Sequence, residues 1–277
     1  MDYRAYLGGL VHLHTKLSNY RGHHESDQTV RTMTRFLLDA GLVGPGAPWQ
    51  YLVITNHVSN PAAPRPLGAL SLRARLLRRQ QWARRQLGVE VLYGFEASIL
   101  RGGRTDLTPR LERAAELVIG SAHGNLEGVR EDPAAYTALL EQACTDASLD
   151  ALGHPQRALS PEVAARVDWA AVFAVAARTG TAIEVNLNSL RAASAAAWLE
   201  ALARSGAQIL LGYDLHNQIQ LDRIRHDWQT IAAPDGPNRL REGLDAIHAA
   251  GIGPERIVNR SLADFTAWIH TSKAGRS

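Results

Sequence analysis

Two histidines two residues apart, His12 and His14 in "VHLHTKLSN" (11–19), close a short apolar run. If that run is a strand, alternation places both imidazoles on the same side of it. Two neutral imidazoles side by side are a grip for a metal such as zinc. The same chemistry recurs at the ends of other apolar runs. His57 closes "YLVITNH", Glu96 lies in "VEVLYGFEASI", His123 closes "ELVIGSAH", His154 closes "LDALGH", and Asp214 and His216 end "AQILLGYDLH". Six of the eleven histidines therefore sit at run ends rather than on helix surfaces. The set His12, His14, His57, Glu96, His123, His154, Asp214 and His216 offers nitrogen and carboxylate donors without thiolate, which suits zinc, manganese or iron. Eight donors exceed what one four-coordinate ion uses, so two or three divalent ions around a shared carboxylate is the economical reading. Such ions acidify bound water, supply hydroxide and clamp the attacking and leaving oxygens of phosphoryl transfer.

The elements that must carry these residues alternate along the chain. Strands are expected over 7–14, 51–57, 89–99, 116–123, 149–154, 182–188 and 207–216, with helical stretches between them that include 29–41, 67–88, 132–147, 160–180 and 194–206. Alternation of this kind is the signature of a parallel α/β fold. Pro161 after Ser160 and glycines closing several helices supply start and stop signals. Seven strands with crossover helices predict one α/β barrel domain over 1–277, a distorted seven-stranded (β/α)7 TIM-like barrel. All strand C-termini of such a barrel open on one face, where active sites are built, so the eight donors converge.

Composition narrows the class. Thirty Lys and Arg against 27 Asp and Glu give a net charge of +3, and the only lysines are Lys16 and Lys273. That balance admits anionic substrates without demanding nucleic acid. No apolar run approaches the ~20 residues of a membrane span. The opening "MDYRAYLGGL" lacks the basic and apolar segments of a secretory leader, and the single cysteine, Cys144, reads as a buried structural thiol. A cytoplasmic protein without a membrane partner is expected.

The motifs "HLHT…S", "ITNH", "GFEASIL", "IGSAH", "GHPQR" and "GYDLH" occur here in the order and spacing of the PHP (polymerase and histidinol phosphatase) family, which the chain resembles over nearly its whole length. The stretches "YGFEASILRGGRTDL", "GHPQR" and "AIEVNLNSL" look closest to the C-terminal PHP module of bacterial family-X DNA polymerases, here as a stand-alone domain. The resemblance implies a trinuclear metal site and phosphoester hydrolysis by a metal-bound hydroxide. His12, His14, Glu96 and Asp214 would hold the first metal, Glu96 would bridge to a second with His123 and His154, and His57 and His216 would hold a third. The ligand that usually completes the third site has no plain counterpart, since Asn19 and Tyr20 stand there and His23 or His24 would have to serve. Asn56 and Tyr213 also depart from the family pattern.

Around that face, Arg157 in "GHPQR" is placed to clamp a phosphate bidentately, with Arg21, Arg101 and Arg104 in other loops and Asn186 and Asn188 on the sixth strand as weaker substrate contacts. Glu184 is expected to hydrogen-bond a ligand imidazole. His23 and His24 are candidates to protonate the leaving group. The stretch "RARLLRRQQWARRQ" (73–86) holds six arginines and no acid, which reads either as a solvated outer helix or as a track for a nucleic-acid backbone. The leading expectation is a metal-dependent phosphoesterase, a 3′→5′ exonuclease or 3′-phosphatase on nucleic acid, with a small phosphomonoesterase acting on histidinol phosphate or a nucleotide as the alternative. An amidohydrolase fits less well, because neither lysine can supply a carboxylated strand-end bridge. A catalytically silent scaffold would have lost ligands that this chain keeps.

Overall fold

The computed structural model describes residues 1–18, 26–58, 80–123, 126–157, 159–190, 192–233 and 236–274. Seven strands, β1 (Gly9–Leu13), β2 (Tyr51–His57), β3 (Glu90–Ser98), β4 (Leu117–Ser121), β5 (Ala151–Gly153), β6 (Ala182–Asn186) and β7 (Ile209–Leu215), close into a barrel in sequence order. Every neighbouring pair is parallel, and β1 pairs with β7 to complete the ring. This is the expected TIM-like α/β barrel.

The helices are α1 (Val30–Asp39), α2 (helical over 80–87), α3 (Pro109–Glu112), α4 (Pro133–Cys144), α5 (Pro161–Ala164), α6 (Trp169–Thr179), α7 (Ala192–Ser205), α8 (Gln218–Gln229), α9 (Arg239–Ala249) and α10 (Leu262–Ala274). Side-chain caps explain several starts. Thr29 and Thr32 form a capping box at α1, and Asp132 accepts from two amides at the head of α4. The single helix expected over 160–180 is two, because Asp168 caps a fresh start at Trp169 by accepting from the Ala171 amide. No helix among the described residues is long and apolar enough to cross a membrane.

Period-2 patterning divides the strand side chains between two cores. Val11, Tyr51, Val53, Leu117, Ile119, Ala151, Ala182 and Leu210 fill the barrel interior, and Phe265 and Trp268 of α10 pack with them. Phe265 lies 5.6 Å from the Tyr51 ring, so α10 plugs the N-terminal end of the barrel. Leu10, Leu13, Leu52, Ile54, Val118, Leu152, Ile183 and Leu211 face the helices. Among the described residues no such plug lies at the C-terminal end, where the interior is lined by imidazoles and carboxylates.

One buried amide seals the seam where the barrel closes. Asn259 donates to the carbonyls of Gly9 and Leu211 at 2.9 Å each and accepts from the Leu211 amide at 2.9 Å. Replacing it by Ala leaves buried backbone groups on both closing strands unpaired, each worth 1–3 kcal/mol. Asn259→Ala is expected to cost roughly 3 kcal/mol by urea denaturation. A loss below 1 kcal/mol would show that the seam does not depend on this side chain.

Candidate metal centre

Strict alternation does not deliver the two histidines of the H-x-H segment. It would place His12 and His14 in the helix-facing layer with Leu10. Instead the β1 register slips between Val11 and Leu13 against both β2 and β7, and His12 takes a left-handed backbone with φ 66°. This bulge lets Val11 and His12 face inward in succession, turns Leu13 out to the helices, and returns His14 inward. His154 (φ 23°) and Asp214 (φ 51°) are the other non-glycine residues in this region among the described residues. Left-handed backbone at non-glycine residues costs of order 1–3 kcal/mol each and concentrates at functional sites. Here all three carry donor side chains.

Glu96 stands in the middle of the cluster. Its Oε1 lies 3.1 Å from His123 Nε2 and 3.1 Å from His154 Nε2. Its Oε2 lies 3.0 Å from His57 Nδ1 and 3.4 Å from both His12 Nε2 and His14 Nε2. Asp214 Oδ1 lies 2.7 Å from His216 Nε2, 3.1 Å from His14 Nε2 and 3.7 Å from His12 Nε2. The His14 and His216 rings stack at 4.1 Å. Donor atoms within 4.8 Å of one another form four overlapping groups: His12, His14, Glu96 and Asp214; His57, Glu96 and His123; His14, His57 and His216; His12, His154 and Glu184. The barrel thus gathers all eight sequence-predicted donors.

The electrostatics of the gathering suit cations. His12 Nε2, His14 Nε2 and Glu96 Oε2 are buried without a hydrogen-bond partner, and buried polar atoms left unpaired are costly unless a cation joins them. Burial opposes the charge on Glu96, yet His123, His57 and His12 hold its carboxyl well below the usual range. Burial likewise opposes a charged His12, but Glu184 and Glu96 outweigh it and push the ring up to about 10. Burial and the neighbouring His216 and His57 hold His14 well below its ordinary value. At neutral pH a proton on His12 Nε2 therefore occupies a position that a metal ion needs. Metal uptake at pH 7.5 is expected to release about one proton, and affinity to fall as pH drops. Calorimetry in buffers of different ionisation enthalpy reads the proton count, and a buffer-independent heat would contradict it.

Glu184 makes the contact expected of it. Its Oε1 accepts from His12 Nδ1 at 2.8 Å, and its Oε2 accepts from the His154 backbone amide at 2.7 Å. Two glycines make room for it. A Cβ on Gly212 would stand on Glu184 Oε1, and one on Gly153 would collide with Ser121 Oγ and approach Glu184 Oε2. Both glycines lie in the quoted motifs "GYDLH" and "GHPQR", but their partner is distant in sequence, which is why reading the chain alone passed over them.

The anticipated substrate contacts divide. Arg157 reaches the cluster, where its guanidinium pairs with Asp214 Oδ2 while the side chain is 48% exposed. Asn186 turns inward: it is buried, donates to Glu184 at 3.3 Å and accepts from the Ser189 amide and hydroxyl. Its bonds buttress Glu184 and the turn after β6 rather than face a ligand. Arg101 donates to the Glu127 carbonyl at 2.8 Å, and Asn188 accepts from Arg223. Tyr213 packs edge-on against Trp49 in the helix-facing core, away from the donors. Asn19, Tyr20, Arg21, His23 and His24 lie outside the described residues, as does 73–79 of the arginine-rich stretch. Of its described end, Arg84 pairs with Glu90 and Ala83 is buried.

No family model matches the chain. A protein named "Probable phosphatase" from Syntrophotalea carbinolica is 29% identical over 177 residues, 63% of this chain and 67% of that one. A second protein so named, from Caldanaerobacter subterraneus, is 34% identical over 103 residues, 37% of this chain and 39% of that one. The DNA polymerase/3′-5′ exonuclease PolX of Bacillus subtilis is 24% identical over 269 residues, 95% of this chain and 41% of that one. Among solved structures, histidinol phosphate phosphatase from Lactococcus lactis, complexed with zinc, L-histidinol and phosphate, superposes with a TM-score of 0.59 at 15% identity, covering 88% of this chain and 93% of that chain. These likenesses support the PHP-type assignment. The chain spans about two thirds of the first relative and about two fifths of the other two. The likeness to the zinc-holding structure shows a shared barrel fold.

Proposed function

We propose that the chain is a phosphoesterase that works with two or three divalent ions, manganese, zinc or iron, held by His12, His14, His57, Glu96, His123, His154, Asp214 and His216. The observation that carries this reading is the Glu96 carboxylate, which presents one oxygen to two imidazoles and the other to three. Ions bound there supply an acidified water and Lewis acidity toward phosphoryl oxygens. The chain's own residues do the rest. Arg157, exposed at the edge of the cluster, offers a planar fork to a phosphate. Glu184 holds the His12 ring with Nε2 turned to the cluster. An amidohydrolase-type lysine bridge is not available, since Lys16 lies in a 3-10 turn after β1 and Lys273 in α10.

For the substrate, the 3′ end of a nucleic acid is the reading supported by likeness to the polymerase/exonuclease along 95% of the chain. A small phosphomonoester such as histidinol phosphate or a nucleotide is the second, supported by the relatives named as phosphatases and the neighbour holding histidinol and phosphate. The lone, buried Cys144 suits action in the cytoplasm. Incubating the manganese-loaded protein with a 5′-labelled single-stranded oligonucleotide, and separately with histidinol phosphate, tests both readings. A ladder shortening from the 3′ end supports the exonuclease. Released phosphate with an intact oligonucleotide supports the small substrate. Turnover of neither, nor of p-nitrophenyl phosphate, would overturn the phosphoesterase.

A further inference from the structure

Behind His14 runs a buried line of hydrogen bonds that determines where its proton sits. Asn56 accepts at Oδ1 from the Thr15 amide at 2.8 Å, from Thr15 Oγ1 at 3.1 Å and from Ser18 Oγ at 3.0 Å. The Thr15 amide can only donate, so the oxygen of the Asn56 side chain faces it. An amide oxygen carries no proton, so the Ser18 hydroxyl gives its single hydrogen to Asn56. Ser18 Oγ then meets the His57 backbone amide at 3.2 Å and His14 Nδ1 at 3.1 Å. One donor and two acceptor positions exhaust a hydroxyl. With no proton left for His14, Ser18 can only accept, and His14 carries its proton on Nδ1. Its Nε2 is left bare, buried and unpartnered, 3.1 Å from Asp214 Oδ1 and 3.4 Å from Glu96 Oε2.

We propose that Ser18, anchored by Asn56, is a positioning residue that fixes the tautomer and orientation of His14 and ties the His57 backbone to the same point. The inference rests on the reading of the cluster as a metal centre and deepens it. It also makes the two histidines of H-x-H unequal. His12 is backed at Nδ1 by the Glu184 carboxylate, whereas His14 is backed by a neutral hydroxyl on a neutral amide. A carboxylate behind an imidazole raises its basicity as a ligand, so His12 is the stronger donor of the pair and His14 depends on orientation.

The test uses the full-length chain with 15N-labelled histidine, as wild type, Ser18→Ala and Asn56→Asp. Long-range 1H–15N correlation reads the His14 tautomer, and competition with a chromophoric chelator reads zinc affinity. The wild type is expected to show one Nδ1–H tautomer at His14. Ser18→Ala is expected to mix the two tautomers and weaken zinc by about 10- to 100-fold. Asn56→Asp keeps an acceptor for the Ser18 proton and is expected to retain both tautomer and affinity within about threefold of wild type, well short of the loss when an imidazole loses its hydrogen-bonding support. A Ser18→Ala protein with the wild-type tautomer and zinc affinity would overturn the inference, as would an Asn56→Asp protein that fails like Ser18→Ala. A wild type that binds no zinc would instead defeat the metal-centre reading, while the tautomer measured in the metal-free protein still decides the role of Ser18.

Discussion

Glu96→Gln is expected to lower kcat/KM for phosphoester hydrolysis by about 10³-fold or more, a loss of about 4 kcal/mol of transition-state stabilisation. Glu96 is singled out from the other donors because both of its oxygens face imidazoles: Oε1 those of His123 and His154, Oε2 those of His57, His12 and His14. An amide in its place keeps the volume and offers one weak acceptor. It also turns an NH2 group toward imidazole nitrogens that ions need, so the metal groups on either side lose their common member. The same change should cut the number of ions bound per chain, measured by elemental analysis after desalting. The barrel itself does not depend on Glu96, since the interior layer and the α10 plug lie toward the other end. Circular dichroism of the variant should therefore match wild type. Activity within tenfold of wild type would remove Glu96 from the centre of the mechanism.

Gly212→Ala is the second large effect, and it acts without touching a donor. The added Cβ takes the position of Glu184 Oε1, so Glu184 must swing away from His12 Nδ1 and the His154 amide. The His12 ring and the His154 backbone then lose their support together. Loss of such outer partners typically costs 10- to 100-fold in metal affinity or activity, and Gly212→Ala is expected to fall in that range. Glu184→Ala should cost as much, and it opens the space that the new methyl needs. The double variant Gly212→Ala/Glu184→Ala should therefore be no worse than Glu184→Ala alone, because both changes act on one carboxylate. Multiplying losses in the double variant would show that Gly212 matters for some other reason.

These two positions illustrate what a single sequence does and does not carry. The strands are visible because alternating burial writes itself into residue type, as in "YLVITNH", where Tyr51 and Val53 fill the barrel and Leu52 and Ile54 meet the helices. The donors are visible because a parallel barrel aligns strand ends, so histidines far apart in sequence share one face. Three features are not visible, each for a physical reason. The bulge at His12 changes which face a residue takes without changing any residue type, and simple alternation gives the wrong face there. Gly153 and Gly212 matter for the side chain they leave room for, and that side chain comes from another strand. Ser18 stands in the quoted "HLHT…S", but its role depends on Asn56, 38 positions away, and Asn259 bonds to residues 48 or more positions away, partners that no local pattern reveals. Asn186 is the converse case: a polar residue at a strand end reads equally as a substrate contact or as a cap, and its hydrogen bonds here go to Glu184 and the turn after β6.

The measurement that bears most directly on the central claim follows ions and turnover in one sample. Protein stripped with a chelator is titrated with Mn²⁺, bound ion is counted by electron paramagnetic resonance, and p-nitrophenyl phosphate hydrolysis is recorded at each addition. The gathering of His12, His14, Glu96, Asp214 and their four partners predicts no turnover in the stripped protein, two or three ions bound per chain, and activity that returns with them. Turnover that persists in the stripped protein, or a chain that takes up no ion, would contradict it.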